Sequence, residues 1–177
     1  MSVLDRLVAA VTPPESEEDR AAARQKARSA ATAGDWLDQI LNHHEQVEAA
    51  FSAAKAATDI QSRTLAQRKL AALLTAHSSA EEVIVYPQLS RDHKTRMVMA
   101  YEEQQAAKVQ LALLEDIDPL SHDWLEKLEH IRGAVTHHVY EEENDRFLHL
   151  KEELPPADQD RMTARYREEM ARYDSGL

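Results

Sequence analysis

Residues 77–87 read HSSAEEVIVYP, and they continue the run Leu70, Leu73, His77, Glu81, Ile84 at helical spacing. Side chains three and four apart share one face of a helix, so His77 and Glu81 fall on the side that buries Leu73, Leu74, Ile84 and Val85. Residues 137–147, HHVYEEENDRF, repeat the arrangement, with His138 and Glu142 standing four apart below Ile131 and Val135. Ionisable side chains on an apolar face need partners, because burying them alone is costly.

The rest of the chain extends the helical pattern. Its 177 residues suffice for one sizeable core, and a hydrophobic fraction of 43% argues against disorder over most of the length. Gly is scarce at 3, while Ala, Leu, Glu, Gln and Arg are plentiful, which favours helix almost everywhere. Long helical patterns run over approximately 35–58, 62–90, 94–116 and 121–153, joined by TDIQS, SRDHK and DIDPLS, all rich in capping and turn residues. Asp35, after Gly34, is a fair N-cap for the first of them. Short joints make successive helices antiparallel, so the expected fold is all-α, an up-down-up-down four-helix bundle over 34–154. Residues 1–33 form an N-terminal helical extension, in which TPPESEED at 12–19 separates a short opening helix from a charged, Ala-rich one. LPPADQD at 154–160 stops the fourth helix, and 155–177 hold a short, charged C-terminal helix and tail.

Composition excludes several classes. A net charge of -11 repels phosphate backbones and anionic lipid, and no basic stripe with interleaved aromatics relieves it, so nucleic acid and membrane are not expected partners. No apolar run reaches the roughly 20 residues that span a bilayer. MSVLDRLVAAV is interrupted by Asp5 and barely basic, so it does not read as a signal peptide, and the expected location is the cytoplasm. With Cys at 0, thiolate chemistry and cysteine-ligated metal sites are out.

Within the four stripes, polar residues recur about midway. They are His44 between Ile40 and Val47, His77 and Glu81, Gln104 and Lys108 after Tyr101, and His138 and Glu142. In antiparallel helices of similar length these interruptions meet inside the bundle. A lone His on an apolar stripe is more often a satisfied core residue, and a single His–Glu pair is common on solvated helices. Two such pairs with His44 added point instead to divalent cations, for which imidazole and carboxylate become ligands. His43 and His137 lie about 100° away in helical phase, so they face neighbours or solvent. His93, His122, His130 and His149 carry no such signal, and of the EEEN run only Glu142 has the right phase, the rest being a wet face.

LNHHEQVEAAF, HSSAEEVIVYP and HHVYEEENDRF together resemble the hemerythrin-like HHE cation-binding domains over approximately 35–153. The resemblance implies a four-helix bundle with a non-haem di-iron centre. His44 and His77 would serve one iron, Glu81 and Glu142 would bridge, and His138 would serve the other; Tyr86-Pro87 closes the second helix. YEEQQAAKVQLALLE departs from the family, with Gln104 where a histidine normally follows the acidic pair. The second site is then loose, open, or filled by Glu103 or Tyr101. Tyr101, Gln104 and Lys108 would act as donors beside what binds there. The implied function is binding of, or reaction with, dioxygen, peroxide or nitric oxide, for sensing, storage or detoxification; Mn and Zn tolerate the same donor set. The alternative is a non-catalytic partner-binding bundle with a structural metal, its terminal helices docking another protein or a second copy.

Overall fold

The computed structural model describes residues 15–89 and 94–174; the expected opening helix and His93 lie outside them. The described residues are all-helical. Helix α1 spans Glu17–Ala30, α2 Trp36–Ala56, α4 Lys94–Leu113 and α6 Pro156–Asp174. Helix α3 runs Ile60–Ala80, passes through a π-helical turn at Glu81–Val85 and ends with Tyr86–Leu89; α5 runs His122–Glu141, a π turn at Glu142–Arg146, then Phe147–Glu153.

The expected cap at Asp35 is present: its carboxylate accepts from the Asp38 amide at 2.8 Å, and Lys151 Nζ of α5 donates to it at 2.6 Å. Gly34 turns the chain from α1 into α2 at φ +80, a conformation open to glycine at little cost. Asp59 and Ser121 cap α3 and α5 in the same way, and Ser16 forms a reciprocal capping box with Asp19 on α1.

Helix α2 packs against α3 and α5, and α4 closes the ring between α3 and α5. Helix α1 lies against α2 and the π turn of α5, and α6 lies across α2 and α3. Both terminal helices bury apolar side chains in the chain's own core, Ala27 from α1 and Met162, Tyr166 and Met170 from α6. The core itself divides in two. One cluster gathers Ile40, Ile84, Ala100 and Phe147 with the terminal helices, and the other gathers Val47, Leu74, Ala107 and Val135 with Trp124. On α2, α4 and α5 the buried residues between these clusters are polar, His44, Gln104, and His138 with Glu142, so a polar layer crosses the interior.

The π turns begin at Glu81 and at Glu142, with the Tyr86 and Phe147 amides reaching back five residues to their carbonyls. Each wide turn admits one extra residue and rotates the helix beyond it. Consequently Ile84, Val85 and Tyr86 are all buried in succession, as are Arg146 and Phe147. On α4 the inward face carries Ala100, Gln104, Ala107 and Leu111, one position away from Tyr101 and Lys108, which are only half-buried.

Candidate metal centre

Five side chains of the polar layer converge. His44, His77, Glu81, His138 and Glu142 are all buried, with Glu81 and Glu142 at 0% exposure. His77 and Glu81 are one turn apart on α3, and their Nε2 and Oε2 atoms are 3.4 Å apart. The same spacing on α5 leaves 3.3 Å between His138 Nε2 and Glu142 Oε1. From α2, His44 Nε2 reaches between them, 3.7 Å from Glu81 Oε1 and 3.4 Å from Glu142 Oε2. Two groups result, His44–His77–Glu81 and Glu81–His138–Glu142, each with donor atoms within 4.8 Å of one another and Glu81 common to both.

Unsatisfied atoms mark the same place. His44 Nε2, Glu81 Oε1, Glu142 Oε2 and Gln104 Oε1 are buried without a hydrogen-bond partner. Such an atom costs roughly 1–3 kcal/mol, and more when the group is charged. Among the described residues no Lys or Arg pairs with Glu81 or Glu142. A donor set of imidazole nitrogens and carboxylate oxygens aimed at one small volume fits a divalent or trivalent cation.

Protonation answers part of the charge conflict. Burial alone would lower His44 and His138, yet contact with Glu142, Glu143 and Glu81 holds His44 well above the usual imidazole range, and Glu142 with Glu103 pushes His138 up to about 10. Burial, with the charge on His44, drives His77 well below that range. Burial and the neighbouring Glu142 raise Glu81 to about 7. For Glu142 burial works the other way, but His138 and His44 outweigh it and hold the carboxyl well below the ordinary range.

The other expected residues divide. Gln104 faces the cluster and donates from Nε2 to Glu81 Oε2 at 2.6 Å. Glu103 lies on the outer side of His138, 2.8 Å from Nδ1, and accepts from buried Arg146 at 3.4 Å. Tyr101 and Lys108 turn away from it: the Tyr101 hydroxyl donates to the Glu82 carbonyl, and Lys108 Nζ to the Glu82 carboxylate at 2.8 Å. His43 faces a neighbour, the Tyr166 hydroxyl at 2.9 Å, and His137 faces Glu15 at 2.9 Å.

Three residues near the centre escape the sequence pattern. The Tyr86 hydroxyl lies amid the second group, donating to Glu142 Oε1 at 2.8 Å and standing 3.1 Å from His138 Nε2. Glu143, expected on a wet face, is 1% exposed and sits 2.9 Å from His44 Nδ1. Tyr166 of α6 stands 3.2 Å from His77 Nδ1. Helix α1 is what covers Glu143, and its Arg24 supplies the compensating charge. Of the three only Tyr86 carries a signal in the sequence, the unbroken run Val83, Ile84, Val85, Tyr86, which is more than one face of a regular α-helix holds.

The sequence model of the hemerythrin HHE cation binding domain matches residues 35–150. The chain belongs to this family. No curated protein and no solved structure matches the chain. As a hemerythrin-like cation-binding domain it has a buried His/Glu cluster that could hold metal in either of two adjoining groups. No described helix is long and apolar enough to cross a membrane.

Proposed function

We propose that this chain is a non-haem iron protein whose buried centre binds or reacts with a small oxidant, dioxygen, peroxide or nitric oxide, in sensing, storage or detoxification. The observation that carries it is the set of four unpartnered atoms, His44 Nε2, Glu81 Oε1, Glu142 Oε2 and Gln104 Oε1, on adjoining elements of one buried layer. His44 and His77 with Glu81 would hold one ion. Glu81, His138 and Glu142 would hold a second, with the Tyr86 hydroxyl a further oxygen donor where the family's third-helix imidazole is replaced by Gln104. When bound, iron supplies a Lewis-acidic, redox-active position for a small ligand.

The chain's own residues limit what reaches that position. A cavity of about 20 Å³ lies beside the cluster, lined by His44, His77, Gln104 and His138 with Val47, Leu74, Val135 and Val139. Room for about one water-sized molecule suits a diatomic or peroxide and excludes bulkier substrates. The Gln104 amide, held against Glu81, can orient what binds there. The closed ring of α2 to α5 and their short joints support the up-down-up-down arrangement, with 1–33 and 155–177 as additions to a bundle over 34–154. Cytoplasmic location and pairing of two copies through outer faces of the terminal helices complete the reading; light scattering tests the latter.

The test is anaerobic loading with iron(II), metal analysis, and optical spectra on adding oxygen, peroxide and nitric oxide in turn. Between one and two bound ions and a changed spectrum with at least one ligand are expected. Less than half an equivalent of iron, or a spectrum indifferent to all three, would overturn the proposal.

A further inference from the structure

Each buried imidazole turns Nε2 toward the carboxylates and Nδ1 outward onto a partner. His138 Nδ1 meets Glu103 at 2.8 Å, His44 Nδ1 meets Glu143 at 2.9 Å, and His77 Nδ1 meets the Tyr166 hydroxyl at 3.2 Å. The first contact lies wholly within the segment that matches the family, residues 35–150. The second does too, although its Glu143 is braced from outside that segment, and the third reaches outside it directly. Tyr166 belongs to α6, and Glu143 is gripped by Arg24 of α1, whose Nε donates to both carboxylate oxygens at 3.1 and 3.2 Å.

We propose that α1 and α6 position the metal-binding imidazoles, with Tyr166 the positioning residue for His77, and Arg24 acting through Glu143 on His44. This rests on the reading of the buried cluster as a metal centre.

Proton placement gives the contacts a direction. An imidazole that offers its Nε2 lone pair to a cation carries its hydrogen on Nδ1. The His77 Nδ1–H therefore donates to the Tyr166 oxygen. The phenol has one proton of its own, which then goes to His43 Nδ1, 2.9 Å away, where the His43 ring stacks on Tyr166 at 5.6 Å. The chain His77 to Tyr166 to His43 is satisfied in only that sense when His77 serves as a ligand. Tyr166 is 0% exposed, so bulk water cannot replace it. The arrangement also makes the three imidazoles unequal. His44 and His138 lean on carboxylates, which raise ligand basicity, whereas His77 leans on a neutral hydroxyl.

A purely packing role for Tyr166 makes a different forecast, because Phe fills the same space without the hydroxyl. The experiment uses the full chain loaded with cobalt(II). Affinity is measured by competition with a chromophoric chelator, and the paramagnetically shifted, exchangeable imidazole N–H resonances are recorded by proton NMR. Tyr166→Phe should weaken cobalt binding about tenfold or more and move one shifted N–H resonance, that of His77, which loses its acceptor while the site stays closed to water. Arg24→Gln should weaken binding in the same direction and affect a different single resonance. Wild-type affinity with all shifted resonances intact in both variants would overturn the proposal. So would loss of all resonances together, which is the mark of general loosening. A wild-type chain that binds no cobalt would instead overturn the metal reading, and this inference with it.

Discussion

Glu81 Oε1 and His44 Nε2 face each other at 3.7 Å inside the bundle, and neither has a hydrogen-bond partner. The relationship is strained without a cation between them and natural with one. Glu81→Gln keeps the shape of the side chain and removes its charge, and Glu81 belongs to both candidate groups. The variant should bind less than half the wild-type metal. Without metal it should nonetheless melt at or above the wild-type temperature near neutral pH, because burial and Glu142 raise the Glu81 pKa to about 7, so its charged form is disfavoured in the fold and a neutral amide escapes that penalty. Metal analysis and calorimetry of both forms check the pair of outcomes, and full metal retention would sink the assignment.

His77→Ala makes the companion case. It removes a donor from one group only, so the Glu81–His138–Glu142 group stays whole. Metal content should fall by about one equivalent relative to wild type, with a cavity cost to stability of about 2–4 kcal/mol since the imidazole is buried. Denaturant melts with parallel metal analysis would show whether the two losses travel together.

How far the sequence exposes this site depends on which force places each residue. His44, His77, Glu81, His138 and Glu142 interrupt otherwise apolar stripes, and helical periodicity alone puts them inside. Tyr86 escapes because periodicity assumes an unbroken α-helix, whereas the π turn at Glu81–Val85 rotates everything after it. Glu143 looks solvent-facing on α5 considered alone and is buried only because α1 lies over it. Tyr166 sits in a highly charged helix with no local sign of a distant imidazole. Tyr101 and Lys108 mislead in the opposite way. On α4 the small Ala100 and Ala107 take the inward positions, and the larger side chains one residue on are left at the rim.

Tyr86 offers a direct optical check. Its hydroxyl stands 2.8 Å from Glu142 Oε1 and 3.1 Å from His138 Nε2, within the second group. Burial and the charges of Glu142 and Glu81 hold its pKa well above the usual phenol range while no cation is near. A bound iron(III) reverses that preference, since a coordinated phenolate is stabilised by the ion's charge. Oxidised, iron-loaded wild type should show a visible phenolate-to-iron band that Tyr86→Phe lacks. A band of equal intensity in the variant would mean that Tyr86 stays outside the coordination sphere.

Asp35 ties the start of α2 to α5 and carries a pH dependence of its own. Burial would raise its pKa, but hydrogen bonds from the Asp38 amide, Lys151 and the Thr32 amide hold it below the ordinary value. A carboxyl depressed in the folded state stabilises the fold above its unfolded pKa of about 3.9, and that contribution fades as pH falls through the folded value. Asp35→Ala should cost about 1 kcal/mol at neutral pH, the usual worth of a lost N-cap. The gap between wild type and variant should narrow below about pH 4 in urea melts. A gap that stays constant as the pH is lowered through the acid range would mean the charge contributes nothing.

Gln104→His tests the proposal that an amide on α4 limits the second group of ligands. The amide nitrogen already touches Glu81 Oε2 at 2.6 Å, and the amide oxygen is buried and unpartnered, so position 104 faces the centre. An imidazole there would exchange a weak neutral oxygen donor for a good nitrogen one. Gln104 is 4% exposed beside Ala107 on the same helix, so the slightly bulkier ring has room along the small cavity that Gln104, Ala107 and His138 line. The second ion should bind about tenfold tighter or better, and stoichiometry should rise toward two in calorimetric titrations with iron(II). Should both sites titrate as in wild type, the amide at 104 would not be what limits the second ion, and the Tyr86 hydroxyl would be left as the group that already fills that position.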